Sequence, residues 1–546
     1  MSRPSFHPNG HEVKTGPGAL LVQGAGTPLR ARSDRAPTVL RVANGGVGDT
    51  PRLASMSAPE PATPTASTSP PAASTLGELR ASGWRSVPVA VELRRNAAAR
   101  IAAGQPLVSG VLGFEETVLP QLENAVLAGH DIILLGERGQ AKTRLVRSLV
   151  DLLDEWLPVV AGSEIHDDPT NPVSRYAKDL VAEQGDDTPI AWVHRSDRYG
   201  EKLATPDTSI ADLIGEVDPI RVAEGRYLSD ELTIHYGLVP RLNRGIFAVN
   251  ELPDLAERIQ VGLLNVLEER DVQIRGHRVR LPLDIVLVAT ANPEDYTNRG
   301  RIITPLKDRF GAQIRTHYPP DAATELAIAR QEAELPGAFD ETGTSADDGL
   351  PRVVVPDFMA EVVAELSQLA RESPHLNQRS GVSVRLTVAN YETMVASAVR
   401  RSLRTGESDA VPRVSDLQAL VASTQGKVEV ETLEEGREDL LIGQLVSAAV
   451  VTVFRRRVRL GNPQEVVGAF TEGTVVHAGD DLPSGAYLDT LERLPALAEP
   501  VLALAGGTEE PGVVASACEL VLEGLHLTKR LNKEAVGLRA TYRGRG

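Results

Sequence analysis

An α/β fold with a parallel central sheet, continued by a helical C-terminal half, is predicted by three features of this 546-residue chain. The apolar run Ile132-Ile133-Leu134-Leu135 leads into Gly136-Glu137-Arg138-Gly139-Gln140-Ala141-Lys142-Thr143, and a helical stretch follows over residues 144–153. Two later apolar runs, 246–249 and 285–291, end in the polar residues Asn250-Glu251 and Asn292. Such runs read as strands buried on both faces, and their carboxyl ends form the edge where open α/β sheets bind ligands. Beyond residue 320, Leu, Val and Ala recur at helical spacing.

The first stretch has the strand–loop–helix context of a phosphate-binding loop, G-x-x-x-x-G-K-[ST]. Loop and helix N-terminal N–H groups would face a triphosphate, with Lys142 on the β/γ-phosphates and Thr143 on Mg²⁺. The cofactor-binding set is thus Gly136, Glu137, Arg138, Gly139, Gln140, Ala141, Lys142, Thr143 and Arg144. Ala141 stands where the last glycine belongs. Alanine accepts most backbone conformations other than positive φ, so the departure reads as mild.

Composition sets the outer limits. The net charge of −17 disfavours a nucleic-acid-coating role. The single cysteine, Cys518, cannot form an internal disulfide and reads as a core thiol. No apolar stretch reaches membrane-spanning length, and no signal peptide is evident, so a cytoplasmic protein is expected. The scattered His166, His194, His235 and His277 lack zinc-ligand spacing.

Taken in order, residues 1–75 are rich in Pro, Gly, Ser, Thr and Ala and read as a disordered segment, with Met56 an alternative start. Residues 76–106 read as a helical lead-in, and Val118, Leu122, Ala125 and Val126 mark a further helix. Residues 191–194 form a candidate strand, and 195–236 read as an irregular stretch of the length that often carries function. At the end of the 246–249 strand, Glu251 is either a water-polarising carboxylate or a solvated strand end. Asn250 occupies the place of a metal-binding acid and could hold a metal-bound water without supplying charge. Val272/Ile274 and Val279/Leu281 alternate around Arg275-Gly276-His277, a hairpin whose cationic face is either a contact surface or simply solvated. Asn292 is placed to position water near a γ-phosphate. Arg309, in Leu306-Lys307-Asp308-Arg309-Phe310, reads as a charge-neutralising finger acting in trans or as an ordinary surface ion pair.

This order of parts resembles the AAA+ ATPases of the magnesium-chelatase I-subunit/MoxR branch, over roughly residues 107–403. The resemblance implies a P-loop αβα sandwich over 107–320, a helical lid and extension over 321–460, and an all-helical C-terminal region over 461–546 with a frayed basic tail. It implies Walker A roles for Lys142 and Thr143, a Walker B end at Asn250-Glu251 with Asn250 and Thr143 as metal positions, and sensor 1 at Asn292. It also implies an arginine finger at Arg309 and a sensor 2 arginine at Arg385. Residues 272–281 resemble the branch's pre-sensor-1 hairpin, and 212–219 its insertion before Walker B. The cofactors implied are ATP and Mg²⁺. The partners implied are further copies in a ring of six, a von Willebrand A-type protein and a client to be remodelled or loaded with metal. Two alternatives stand beside this reading: a genuine magnesium-chelatase subunit of tetrapyrrole biosynthesis, and a non-hydrolysing nucleotide-gated scaffold suggested by Asn250.

Overall fold

A computed structural model describes residues 69–218, 233–268, 272–274, 277–279, 281–292, 301–336, 349–377, 381–430, 437–470, 474–536 and 539–545. The N-terminal segment expected to be disordered, Met56 included, lies almost entirely outside these residues, as do residues 337–348 of the expected lid and extension.

Five parallel strands form the central sheet: β1 (Ile132–Leu135), β2 (Tyr199–Leu203), β3 (Gly245–Asn250), β4 (Ile285–Ala291) and β5 (Ala312–Arg315), in the spatial order β5-β1-β4-β3-β2. Apart from Asn250, β1, β3 and β4 are buried along their whole length, which explains their unbroken apolar runs. One face packs on helices Val89–Ala102, Val118–Ala128 and Lys142–Ser148 through Leu93, Leu122 and Leu145. The other packs on helices Glu257–Glu268 and Thr304–Arg309 through Ile259, Leu263 and Leu306. The second lead-in helix is therefore a layer of the αβα sandwich itself.

The amino ends of the strands are pinned by a buried ion pair. Arg198 donates to both carboxylate oxygens of Glu92 at 2.7 Å and, through Nε, to Arg244 O at 2.9 Å. Glu92 also accepts from the Asp154 N–H at 2.6 Å. One salt bridge thus joins the lead-in helix to the starts of β2 and β3. Both partners are fully hydrogen-bonded, the condition under which charges are tolerated in a core.

Strand β2 corrects the sequence reading, which left residues 195–236 irregular. Tyr-Gly-Glu-Lys-Leu carries two charges and a glycine, which disguises a strand. On the sheet edge its side chains reach solvent, so no apolar run is needed. The same stretch also holds an antiparallel pair, Gly215–Val217 with Ile234–Tyr236, and residues 219–232 between them are not described. Trp156–Val160 and Ile190–His194 form another pair outside the central sheet. The expected hairpin is present as Val272–Ile274 against His277–Val279; its Arg275 and Gly276 lie outside the described residues.

The lid helices Ala322–Glu332, Asp357–Glu372 and Arg385–Thr405 close on a fully buried carboxylate. Glu325 accepts from Arg371 at 2.8 Å and from the Thr387 hydroxyl, whose oxygen lies 2.7 Å from the Ser367 hydroxyl and accepts from it. The lid core continues without a break into the C-terminal region through helices Arg437–Arg457 and Pro511–Leu527. These two touch at Gly524, where a β-carbon would lie 2.1 Å from Phe454 Cδ2.

The C-terminal region is mainly helical but not all-helical. Strands β6 (Val475–Gly479), β7 (Leu531–Val536) and β8 (Arg539–Gly544) form an antiparallel sheet with β8 in the middle. The tail expected to fray is thus a central strand. Tyr542 anchors it, with its hydroxyl bonded to buried Glu523. Cys518 is fully buried, and burial, reinforced by Glu519, pushes its thiol pKa well up. Among the described residues no helix is long and apolar enough to cross a membrane.

Gly524→Ala is expected to destabilise the protein by about 1–3 kcal/mol, because the added methyl overpacks against Phe454. Urea unfolding followed by circular dichroism measures this, and an unchanged midpoint contradicts the close packing.

Candidate nucleotide-binding site

The carboxyl edge of β1 delivers the loop 136–141 to the N-terminus of helix Lys142–Ser148. The loop is held from both sides. A β-carbon on Gly136 would lie 1.9 Å from Thr316 Oγ1, so only glycine fits against β5. Gln140 is buried, and its side-chain oxygen accepts from the Glu137 N–H at 3.1 Å and the Thr316 hydroxyl at 2.8 Å.

Lys142 is buried. Its ammonium donates to Gly136 O, to Glu137 O at 2.8 Å and to Asn292 Oδ1 at 2.7 Å. Asn292, at the end of β4, in turn donates through Nδ2 to Glu251 Oε2 at 2.8 Å. Lys142 at the start of its helix, Asn292 after β4 and Glu251 after β3 thus form one hydrogen-bonded line. Glu251 follows β3 in the left-handed region, φ 56° and ψ 50°. Its N–H donates to the Thr290 hydroxyl at 3.1 Å. Left-handed backbone costs a non-glycine residue about 1–2 kcal/mol, and such strain concentrates at functional sites.

A cavity of about 1040 Å³ opens between the loop and the lid. Arg138, Gly139, Gln140, Ala141, Lys142, Thr143 and Arg144 line it, with Glu251, Thr290 and, from the lid, Arg385. Val111, Phe114, His317, Ile328 and Val388 supply an apolar end suited to a planar base. His317 packs edge-on against Phe114, with ring centroids 5.0 Å apart. Arg144 is paired with Glu332 of the lid. Partial burial opposes ionisation of Glu332, but Arg144 and Gln331 outweigh it and hold the carboxyl below its ordinary range.

Lid and loop touch directly. The Tyr318 hydroxyl donates to Arg138 O at 3.0 Å, and the Arg371 guanidinium lies 4.6 Å from the Tyr318 ring centroid. A β-carbon on Gly139 would lie 1.8 Å from Ser383 Oγ. Arg385 begins its helix two residues later, exposed and facing the cavity.

The structure thus gathers residues 138–144, Glu251 and Arg385 around one cavity, with Asn292 bridging behind Lys142 and Glu251. Gly136 and Glu137 line a second cavity of about 410 Å³ on the β5 side, together with Lys307 and Arg315. Asn250 is half-buried and is not among the cavity-lining residues; its side-chain oxygen accepts from Thr290 Oγ1 at 3.4 Å. Arg309 lines neither cavity and is paired with Glu268. Thr290 and Gln140 hold the site together, yet only their places beside the strand end and in the loop marked them in the sequence.

One expectation fails on backbone grounds. Ala141 has φ 51° and ψ 15°, a left-handed conformation that costs alanine about 1–2 kcal/mol, so its replacement of glycine is not mild. The loop must turn here to start the helix with N–H groups facing the cavity, and a positive φ makes that turn. Ala141→Gly is therefore expected to stabilise the fold by about 1 kcal/mol. Denaturant unfolding without nucleotide tests this; a loss of stability would refute the strain.

No family model matches the chain. Magnesium-chelatase subunit ChlI of Nostoc sp. is 28% identical over 240 residues, 42% of this chain and 58% of that protein. Chloroplastic subunit ChlI-2 of Arabidopsis thaliana is 28% identical over 249 residues, 43% of this chain and 54% of that one. The chain thus spans less than three fifths of the length of these curated relatives. A structure of the complex between magnesium-chelatase subunits BchI and BchD aligns at 22% identity over 60% of this chain and 96% of that one, with a TM-score of 0.32, too low to carry structural weight. Strand order and motif order give the chain an AAA+ αβα fold, and over the matched residues it is similar to magnesium-chelatase I-subunits.

Proposed function

We propose that the chain is an ATP hydrolase that works as a homo-oligomer, coupling Mg²⁺-dependent turnover to remodelling of a client protein or to metal insertion. The line Lys142–Asn292–Glu251 at the mouth of the cavity carries this reading. It sets a phosphate-binding cation, a polar sensor and a water-orienting carboxylate within hydrogen-bond reach of one another. A triphosphate entering the cavity competes with Gly136 O and Glu137 O for the Lys142 protons. Because Asn292 also contacts Glu251, that exchange is felt at the carboxylate.

The residues present fit a nucleotide-borne Mg²⁺. Among the described residues no group of three or more His, Cys, Asp or Glu could cage a metal, and Mg²⁺ commonly takes one or two protein oxygens plus phosphate and water. The Thr143 hydroxyl would hold it; Asn250, which the resemblance assigns to the metal, stands back from the cavity beside Thr290. When bound, the ion neutralises phosphate charge. Glu251 orients the attacking water, Arg385 reaches the nucleotide from the lid, and Arg309 serves a neighbouring protomer. The ring, its size and a von Willebrand A-type partner are carried by the family resemblance alone.

Asn250 supports a second reading, a nucleotide-gated scaffold that binds without turnover, because the Walker B acid is missing. Steady-state ATPase assays across protein concentration separate the two. Lys142→Ala is expected to abolish nucleotide binding. Glu251→Gln should bind nucleotide normally and turn over about 10²-fold or more slowly. Binding without turnover in the parent, with turnover gained in Asn250→Asp, would favour the scaffold.

A further inference from the structure

The arginine assigned to a neighbour's nucleotide is already occupied within its own protomer. Arg309, the last residue of helix Thr304–Arg309, is ion-paired through Nη2 with Oε2 of Glu268, the last residue of helix Glu257–Glu268. The side chains retain 30% and 49% of their exposure, so both can reach solvent or another molecule.

The two helices are fixed relative to each other. Gln260 is fully buried between them, donating to Leu255 O at 2.9 Å and Arg301 O at 3.0 Å and accepting from the Ile303 N–H at 2.9 Å. Ile302, Leu306 and Phe310 share a core with Ile259 and Leu263. The backbones of Glu268 and Arg309 are therefore held in place by packing, and rotation of the two side chains is enough to part them.

We infer that Glu268 is a latch on Arg309. It neutralises the guanidinium while a protomer is alone, and assembly exchanges this carboxylate for phosphate oxygens of nucleotide bound to a second copy of the chain. The inference rests on the reading of Arg309 as acting in trans. An ion pair this exposed is weak and cheaply broken, so it raises the protein concentration needed for assembly only several-fold. The helix bearing Glu268 ends four residues before the hairpin strand that begins at Val272, so release of Arg309 also frees a charge at the root of that hairpin.

The test uses the full chain with Glu268→Gln, Glu268→Ala, Arg309→Ala and the double variant Glu268→Gln/Arg309→Ala. One readout is Mg²⁺-ATP turnover against protein concentration. The other, independent of hydrolysis, is sedimentation velocity with Mg²⁺ and a non-hydrolysable ATP analogue. Both Glu268 variants are expected to shift the half-points of both curves to about two- to fivefold lower protein concentration. The shift should vanish in the Arg309→Ala background. Curves superimposed on the parent's, or a shift that survives without Arg309, overturn the latch and leave the trans reading standing. Full turnover by Arg309→Ala overturns the trans reading and the latch together. If the parent shows no turnover, the sedimentation curves decide alone.

Discussion

A single buried ammonium organises the site. Lys142 carries three protons and no acceptor, and an ammonium out of water is only as stable as the oxygens around it. Those named here belong to two loop carbonyls and to Asn292 at the end of β4. The loop path, the β1–β4 pairing and the position of Asn292 are therefore one constraint. Asn292 extends it to Glu251, whose left-handed backbone aims the carboxylate back across the sheet edge.

The far side of the cavity is built from a different buried charge. Glu325 gathers three lid helices and Arg371, and Arg371 stacks on Tyr318, which donates to the loop at Arg138 O. The lid side reaches the loop at Arg138 and at Gly139. In the other direction the same core runs into the C-terminal helices and the β6–β8 sheet. Polar ties reinforce the join: the Ser415 N–H donates to Glu519 at 2.8 Å, and Arg413 donates to Leu482 O at 2.8 Å. The division expected near residue 460 is not a boundary in packing. The lid and the C-terminal region share one hydrophobic core.

Much of the site was legible in the sequence because its parts are local. A four-residue apolar strand followed by a glycine-bearing loop and Lys-Thr has few other uses, and Asn250-Glu251 and Asn292 stand where buried strands must end. Strand β2 was not legible: an edge strand lets Glu201 and Lys202 reach solvent and shows no apolar run. Strand β8 was hidden for the opposite reason. Arg539–Gly544 looks like a basic tail until β6 and β7 close on either side of it and Glu523 receives the Tyr542 hydroxyl.

The sequence by itself determined the parallel core strands, the phosphate loop and the identities of the residues at the sheet edge. These depend on side-chain polarity and on spacing within a few residues. Tertiary structure alone decided which oxygens receive the Lys142 protons, that Ala141 takes a positive φ, that Asn250 stands back from the cavity and that Arg309 is held by Glu268. Each of these depends on distances between segments far apart in the chain. Those distances follow from core packing and strand register, which no local pattern of residues encodes.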